Sequence, residues 1–257
     1  MTARGRWADL LPRTLSALVL LSAGAGALWC GGLVFTIFVA VLTGAVMWEL
    51  ARLLDASNPE VALNVGILSA AALVVATVSY SAMVPVMLLV PLALGLIRLS
   101  RQRGRFATLG LWVMIGAFGL IWLRNTQGLS WAMWLILVVV ATDIAGYFVG
   151  KYIGGAKFWP AISPNKTWSG TAGGWVAAAL VGVGFVVLGA LPAALIGLSV
   201  GVSLASQLGD IVESAVKRRM GAKDASNLIP GHGGVFDRFD GMLGASALCF
   251  LVVVIWG

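Results

Sequence analysis

Charge is scarce in this sequence. Its 257 residues include 17 Lys and Arg and 10 Asp and Glu, so 11% are charged, against about 25% in a soluble domain. So few polar groups cannot cover the surface of a globule, which excludes an ordinary soluble enzyme, a disordered chain and a secreted disulfide scaffold. Histidine occurs once, at His232, too little for a zinc site with neighbouring ligands. The two cysteines, Cys30 and Cys249, sit in apolar segments without a CxxC pattern and read as buried small hydrophobes. No GxxxxGK[ST] run is present, so a P-loop ATPase is excluded. There is no internal repeat and no low-complexity tail.

Apolar residues are what the chain has in excess, 60% of the total, with a mean hydropathy of +0.98. A spanning helix takes about 20 apolar residues. Cutting at charged, proline-bearing or polar breaks gives nine candidates, at about 14–30, 32–53, 61–80, 83–98, 106–123, 128–149, 169–190, 192–219 and 238–256. The expected fold is therefore all-α, a polytopic integral membrane protein. It forms a single membrane domain over 1–257, with spans one to five in 1–127 and spans six to nine in 128–257.

The net charge of +7 is unevenly placed. With the N-terminus inside, the basic residues fall in the N-terminal tail (Arg4, Arg6, Arg13) and in the second, fourth, sixth and eighth loops. Those loops hold Arg52; Arg98, Arg101, Arg103 and Arg105; Lys151, Lys157 and Lys166; and Lys217, Arg218, Arg219, Lys223 and Arg238. Only Arg124 lies on the other side. The positive-inside rule then sets an N-in, C-out topology in the cell (plasma or bacterial inner) membrane. The excess charge orients the spans and is no sign of nucleic-acid binding. The Arg-bearing start and the small residues at Ala23–Ala27 also fit a signal peptide. A retained first span is the better reading, because the apolar run continues at once into the next.

Ionisable residues in or beside spans mark a working region, since each is costly unless paired, solvated or bound to metal. Asp143, Tyr147 and Lys151 are spaced i, i+4, i+8 and share one face of span six. Asp210, Glu213 and Lys217 share one face of span eight, and for Glu49, Glu213 and Lys217 an interhelical ion pair is as good a reading as a catalytic one. Asp237 and Asp240 project together from a helix start; with Asp210 they form an all-oxygen set that suits Mg²⁺. Two long loops, 150–174 and 210–241, carry glycines, hydroxyls and lysines beside these acids. Carboxylates for Mg²⁺ beside cations for phosphates describe phosphoryl or nucleotidyl transfer at a membrane surface.

The stretch from Ser214 to Asp240 reads SAVKRRMGAKDASNLIPGHGGVFDRFD. Its Ser214, Lys217-Arg218, Lys223-Asp224, Pro230, His232-Gly233-Gly234 and Asp237-Arg238-Phe239-Asp240 resemble the signature of the phosphatidate cytidylyltransferases, or CDP-diacylglycerol synthases. The resemblance extends to Gly209–Glu213, to Asp143 through Ser163-Pro164-Asn165-Lys166-Thr167 and Gly173-Gly174, and to Trp48-Glu49. It departs at Ser169, where related sequences often carry Glu or Gln. It implies transfer of CMP from CTP to phosphatidate, giving CDP-diacylglycerol and pyrophosphate, on the cytoplasmic side. It also implies Mg²⁺ held by Asp210, Asp237 and Asp240 with Asp143 in support, and Lys217 and Lys223 as catalytic cations. Ser163, Asn165, Lys166, Thr167, Arg218, Asp224, His232, Gly233, Gly234 and Arg238 would bind the substrates. Partners are then CTP, phosphatidate, the lipid bilayer and a second copy in a homodimer. The competing readings are a CTP-dependent lipid or polyprenol kinase and an ion-coupled transporter. A CDP-alcohol phosphotransferase is excluded, because no acidic residue follows Asp240.

Overall fold

The computed structural model describes residues 3–79 and 83–256, with side chains from residue 14 to residue 255 within them. The tail side chains Arg4, Arg6, Asp9 and Arg13, and the expected span boundary at Tyr80, lie outside the described residues. Nine α-helices are described: α1 (Ala3–Cys30), α2 (Gly32–Leu54), α3 (Pro59–Val78), α4 (Val84–Arg98), α5 (Arg103–Trp122), α6 (Leu129–Ile153), α7 (Trp168–Val187), α8 (Leu195–Arg219) and α9 (Phe236–Trp256). Seven are long and apolar enough to cross a bilayer, and the apolar parts of α1 and α4, Thr14–Cys30 and Val84–Arg98, are shorter. The protein is an all-α, multi-pass membrane protein; α2 to α9 lie within a few residues of their expected spans, whereas α1 begins at Ala3, eleven residues before its expected span.

The two least marked breaks have local causes. Between α1 and α2 the chain passes through Gly31 and Gly32, at φ +64° and +50°, a region open to glycine and closed to most residues. Between α7 and α8 it leaves the helix after Val187 and re-enters at Leu195, past Pro192. One element was not expected: the sixth loop folds into a small antiparallel hairpin of β1 (Lys157–Trp159) and β2 (Ser163–Thr167). Of the cysteines, Cys249 is buried as expected, whereas Cys30, at the last turn of α1, is exposed. Exposure costs an apolar side chain nothing where the surroundings are lipid.

The chain forms two compact units, one of residues 1–111 and 222–238 and one of residues 112–221 and 239–257. In the first, α2 and α3 meet at Gly44 and Gly66: a Cβ on Gly66 would stand 2.6 Å from the Gly44 carbonyl oxygen. Hydrocarbon offers no hydrophobic drive for helices to associate, so backbone approach through small residues supplies the contact. In the second unit, α8 and α9 use the same device. Gly209 lies against the Asp240 backbone, Gly244 against the Ala205 carbonyl, and Gly241 against the Ser206 hydroxyl. Facing α6, Trp134 donates its indole N–H to Ser199 Oγ (2.9 Å), and the Thr142 and Ser203 hydroxyls meet at 2.8 Å. Ser199, Ser203 and Ser206 are buried and, with Asp210 and Glu213, recur at helical spacing on one face of α8.

In the first unit Asp55, just past α2, ties two loops together. Its carboxylate accepts the Ser57 hydroxyl (2.5 Å), the Asn58 amide (3.3 Å) and the Ser100 backbone N–H (2.7 Å). The Ser57 hydroxyl, helped by Ser100 and Asn58, holds this carboxyl well below the usual range. A depressed folded pKa contributes stability that is fully present above the unfolded value of about 3.9 and is lost as pH falls through the folded value. We therefore expect Asp55→Asn to lower the melting temperature of detergent-purified protein at pH 7. The gap to the parent protein narrows as pH drops below about 4; a gap independent of pH would contradict the assignment.

Candidate active site

The second unit holds a cavity of about 700 Å³. One wall is the α6 face carrying Asp143, Tyr147 and Lys151, the face expected from their spacing. The hairpin contributes Lys157, Asn165 and Lys166, and α8 contributes Gln207 and Asp210. The floor is shaped by close helix contact. A Cβ on Gly170 of α7 would come within 2.5 Å of the Gly146 carbonyl oxygen, and one on Gly150 within 2.8 Å of Thr167 Oγ1. Thr167 begins α7 as its N-cap, its hydroxyl accepting the Gly170 N–H at 3.1 Å. Ser169, where the sequence departs from the expected pattern, bonds the Gly154 carbonyl at 2.5 Å and the Thr167 hydroxyl at 3.0 Å, which fastens the hairpin's base to α7.

Lys166 forms an ion pair with Asp210 and lies 3.4 Å from the Gln207 carbonyl oxygen. Asp143 lies close enough to both to feel the charge of Asp210 and of Lys166. Beside this pair Asp210, Glu213 and Asp240 bring one carboxylate oxygen each within 4.8 Å of the others. Glu213 is buried and paired with Lys217 at 2.7 Å. The Ser214 hydroxyl donates to Asp210 at 3.3 Å, and Asp240 accepts the Gly241 N–H at 2.7 Å. Three gathered carboxylates repel one another unless cations stand among them. The two lysines supply part of that charge, and an all-carboxylate oxygen set is chemically matched to a hard divalent cation such as Mg²⁺.

The expected residues thus divide. Asp210 and Asp240 come together and Glu213 joins them, while Asp143 lines the same cavity as Asp210. Of the expected substrate-binding residues, Asn165, Lys166 and Thr167 line the cavity. Ser163 pairs with Trp159 within the hairpin. Lys217 is taken up by Glu213, while Arg218, Lys223 and Asp224 are exposed.

In the first unit the loop before α9 is held by two carboxyl groups. Glu49 of α2, fully buried, accepts the Val235 and Phe236 N–H groups (2.9 and 2.7 Å) and the Ser226 hydroxyl (2.5 Å). It closes the start of α9, where unpaired N–H groups need acceptors. Asp237 accepts the Ala225 N–H at 3.0 Å and the Gly234 N–H at 2.7 Å. Arg238 donates twice to the His232 carbonyl (3.0 and 2.7 Å), and the His232 ring meets the Ser16 hydroxyl at 3.0 Å. Gly233 turns at φ +84°, and a Cβ on Gly234 would stand 2.6 Å from the Glu49 carboxyl. These two glycines therefore serve the turn and the approach to Glu49. The sequence does mark Glu49, as a carboxyl inside a span, but its partners lie far along the chain. Replacing Glu49 with Ala removes the carboxylate that accepts two buried backbone N–H groups. The expected result is a lower melting temperature together with faster hydrogen exchange at residues 225–236 while α7 stays protected; unchanged exchange in that loop would remove the anchor role.

The sequence profile of the Cytidylyltransferase family matches residues 11–256. The phosphatidate cytidylyltransferase of Brucella suis is 47% identical over 139 residues, 52% of each chain. That of Bacillus subtilis is 45% identical over 126 residues, 47% of each chain. These stretches span about half the length of the two relatives. The phosphatidate cytidylyltransferase of Staphylococcus aureus (strain COL) is 33% identical over 247 residues, 90% of this chain and 94% of that one. The match over residues 11–256 places this chain in the cytidylyltransferase family.

Proposed function

We propose that the protein transfers CMP from CTP to phosphatidate, releasing pyrophosphate and leaving CDP-diacylglycerol in the membrane. The observation that carries this reading is the Lys166–Asp210 pair facing a large cavity, beside the carboxylates of Glu213 and Asp240. By the positive-inside distribution of its lysines and arginines, this end of the spans faces the cytoplasm. CTP is there, and phosphatidate reaches the site from the adjoining leaflet.

The reaction forms a bond from a phosphate oxygen of phosphatidate to the α-phosphorus of CTP and breaks the bond from that phosphorus to the β-phosphate. The nucleophile is already anionic near neutral pH, so the site needs no strong base. Its task is to hold two anions together and to stabilise charge moving onto the pyrophosphate. Asp210, Glu213 and Asp240 would hold Mg²⁺, with Asp143 in support, and the ion would neutralise triphosphate charge when bound. Lys166, paired with Asp210 and lining the cavity, meets phosphate oxygens. Asn165 and the α7 N-terminus capped by Thr167 add polar contacts on the same side. Lys217 holds Glu213 in place through their ion pair. Asp237, holding two backbone N–H groups, sets the loop that carries His232 and Asp224 and leads to Arg238.

Purified protein given labelled CTP, phosphatidate and Mg²⁺ is expected to yield lipid-linked CMP and one pyrophosphate per turnover. Release of CDP with a phosphorylated alcohol would replace this reading with a CTP-dependent kinase. Asp210→Asn and Asp240→Asn each remove a ligand charge, and turnover is expected to fall at least about 100-fold with an unchanged elution profile in detergent. Turnover within a few-fold of the parent protein would exclude that residue from the metal site.

A further inference from the structure

We propose that Lys151 and Lys157 anchor the phosphate of the lipid substrate, and that the Ile144–Phe148–Tyr152 stripe of α6 receives its acyl chains. The assignment rests on the reading of the protein as a phosphatidate-using enzyme and goes beyond it in naming where the lipid sits.

The four lysines around the site differ in what they face. Lys166 pairs with Asp210 and Lys217 with Glu213. Lys151 and Lys157 line the same cavity, yet among the described residues neither has a carboxylate within 4.0 Å. The Lys151 ammonium instead lies over the Tyr147 ring, 5.6 Å from its centroid. Two cations without an acidic partner at one cavity match a phosphate monoester, which carries nearly two negative charges at neutral pH.

Their depth fits a lipid headgroup. The spanning part of α6 ends at Tyr152, so Lys151 stands at the boundary where lysine places its stem in hydrocarbon and its ammonium in water. Gly154 and Gly155, at φ +66° and +97°, turn the chain so that Lys157 in β1 comes back to the cavity. Lys166, ion-paired with Asp210, is better suited to a nucleotide with its metal.

The apolar part of the lipid also has a place. One residue on from the cavity-lining Asp143, Tyr147 and Lys151, about 100° around the helix, run Ile144, Phe148 and Tyr152, which are 55, 50 and 81% exposed. Phe148 and Tyr152 stack with centroids 6.4 Å apart, and Tyr147 touches Phe148 edge-on at 5.4 Å. Tyr147, 61% exposed, belongs to both the stripe and the cavity wall. An apolar flank therefore runs without interruption into the cavity at the two lysines.

The test compares the parent protein with Lys151→Gln, Lys157→Gln and the double variant, with Lys151→Arg as the charge-keeping control. In mixed micelles, the KM for phosphatidate is expected to rise about tenfold for each lysine lost, with the KM for CTP unmoved and Lys151→Arg near the parent. A rise confined to CTP assigns the lysines to the triphosphate and overturns the proposal, as does an unchanged phosphatidate KM. Binding of pyrene-labelled phosphatidate without CTP, against pyrene-labelled phosphatidylcholine, separates this proposal from the reaction itself. Lysine-dependent phosphatidate binding in a protein that makes no CDP-diacylglycerol would retain the anchor and discard the reaction. Turnover with lysine-independent binding would do the reverse, and no binding by the parent protein discards the anchor.

Discussion

Carboxyl groups on membrane helices are tolerable only where something stands opposite them, and that requirement organises the second unit. Asp210 and Glu213 lie on one face of α8; Lys166, from the hairpin, meets the first, and Lys217, one turn along the same helix, meets the second. The hairpin is held in place for this by Ser169 and Thr167, which lock its base to the start of α7. The buried serines above Asp210 extend the same face of α8, so the polar stripe ends in the carboxylate cluster. The two lysines partly offset the charge of three neighbouring carboxylates.

Close backbone contact does the packing work that hydrophobic burial does in water. Gly209, Gly241 and Gly244 let α8 and α9 touch at the level of Asp240, and Gly146, Gly150 and Gly170 do the same for α6 and α7. The first of these contacts carries Asp240 to Asp210. The second forms the floor of the cavity, which Gly146, Gly150 and Gly170 themselves line. In the first unit a different device serves: Glu49 and Asp237 hold the loop before α9 through its backbone N–H groups.

Spacing alone was enough to put Asp143, Tyr147 and Lys151 on one face of span six and Asp210, Glu213 and Lys217 on one face of span eight, because helical periodicity is local. The nine helices were legible for the same reason: apolar run length and charged breaks are properties of neighbouring residues. The hairpin was not, since its β1 and β2 are a few residues long and their pairing depends on what α7 and α6 leave open. The membership of Glu213 in the carboxylate group was undecided against an interhelical ion pair; its carboxylate stands with those of Asp210 and Asp240, and its ion pair with Lys217 runs within α8 and not between helices.

By itself, then, the sequence determined that the chain is helical and membrane-spanning, where its turns fall, and that an acidic and lysine-rich chemistry gathers at one end of the spans. Tertiary structure decided which of those groups share a site. Asp237 and Asp240 are one helical turn apart, yet Asp240 joins the carboxylates while Asp237 bonds Ala225 and Gly234. Glu49 lies 187 residues from the Phe236 N–H that it accepts. Contacts of that separation depend on how helices cross and how closely their glycines allow them to approach, and no local pattern encodes either.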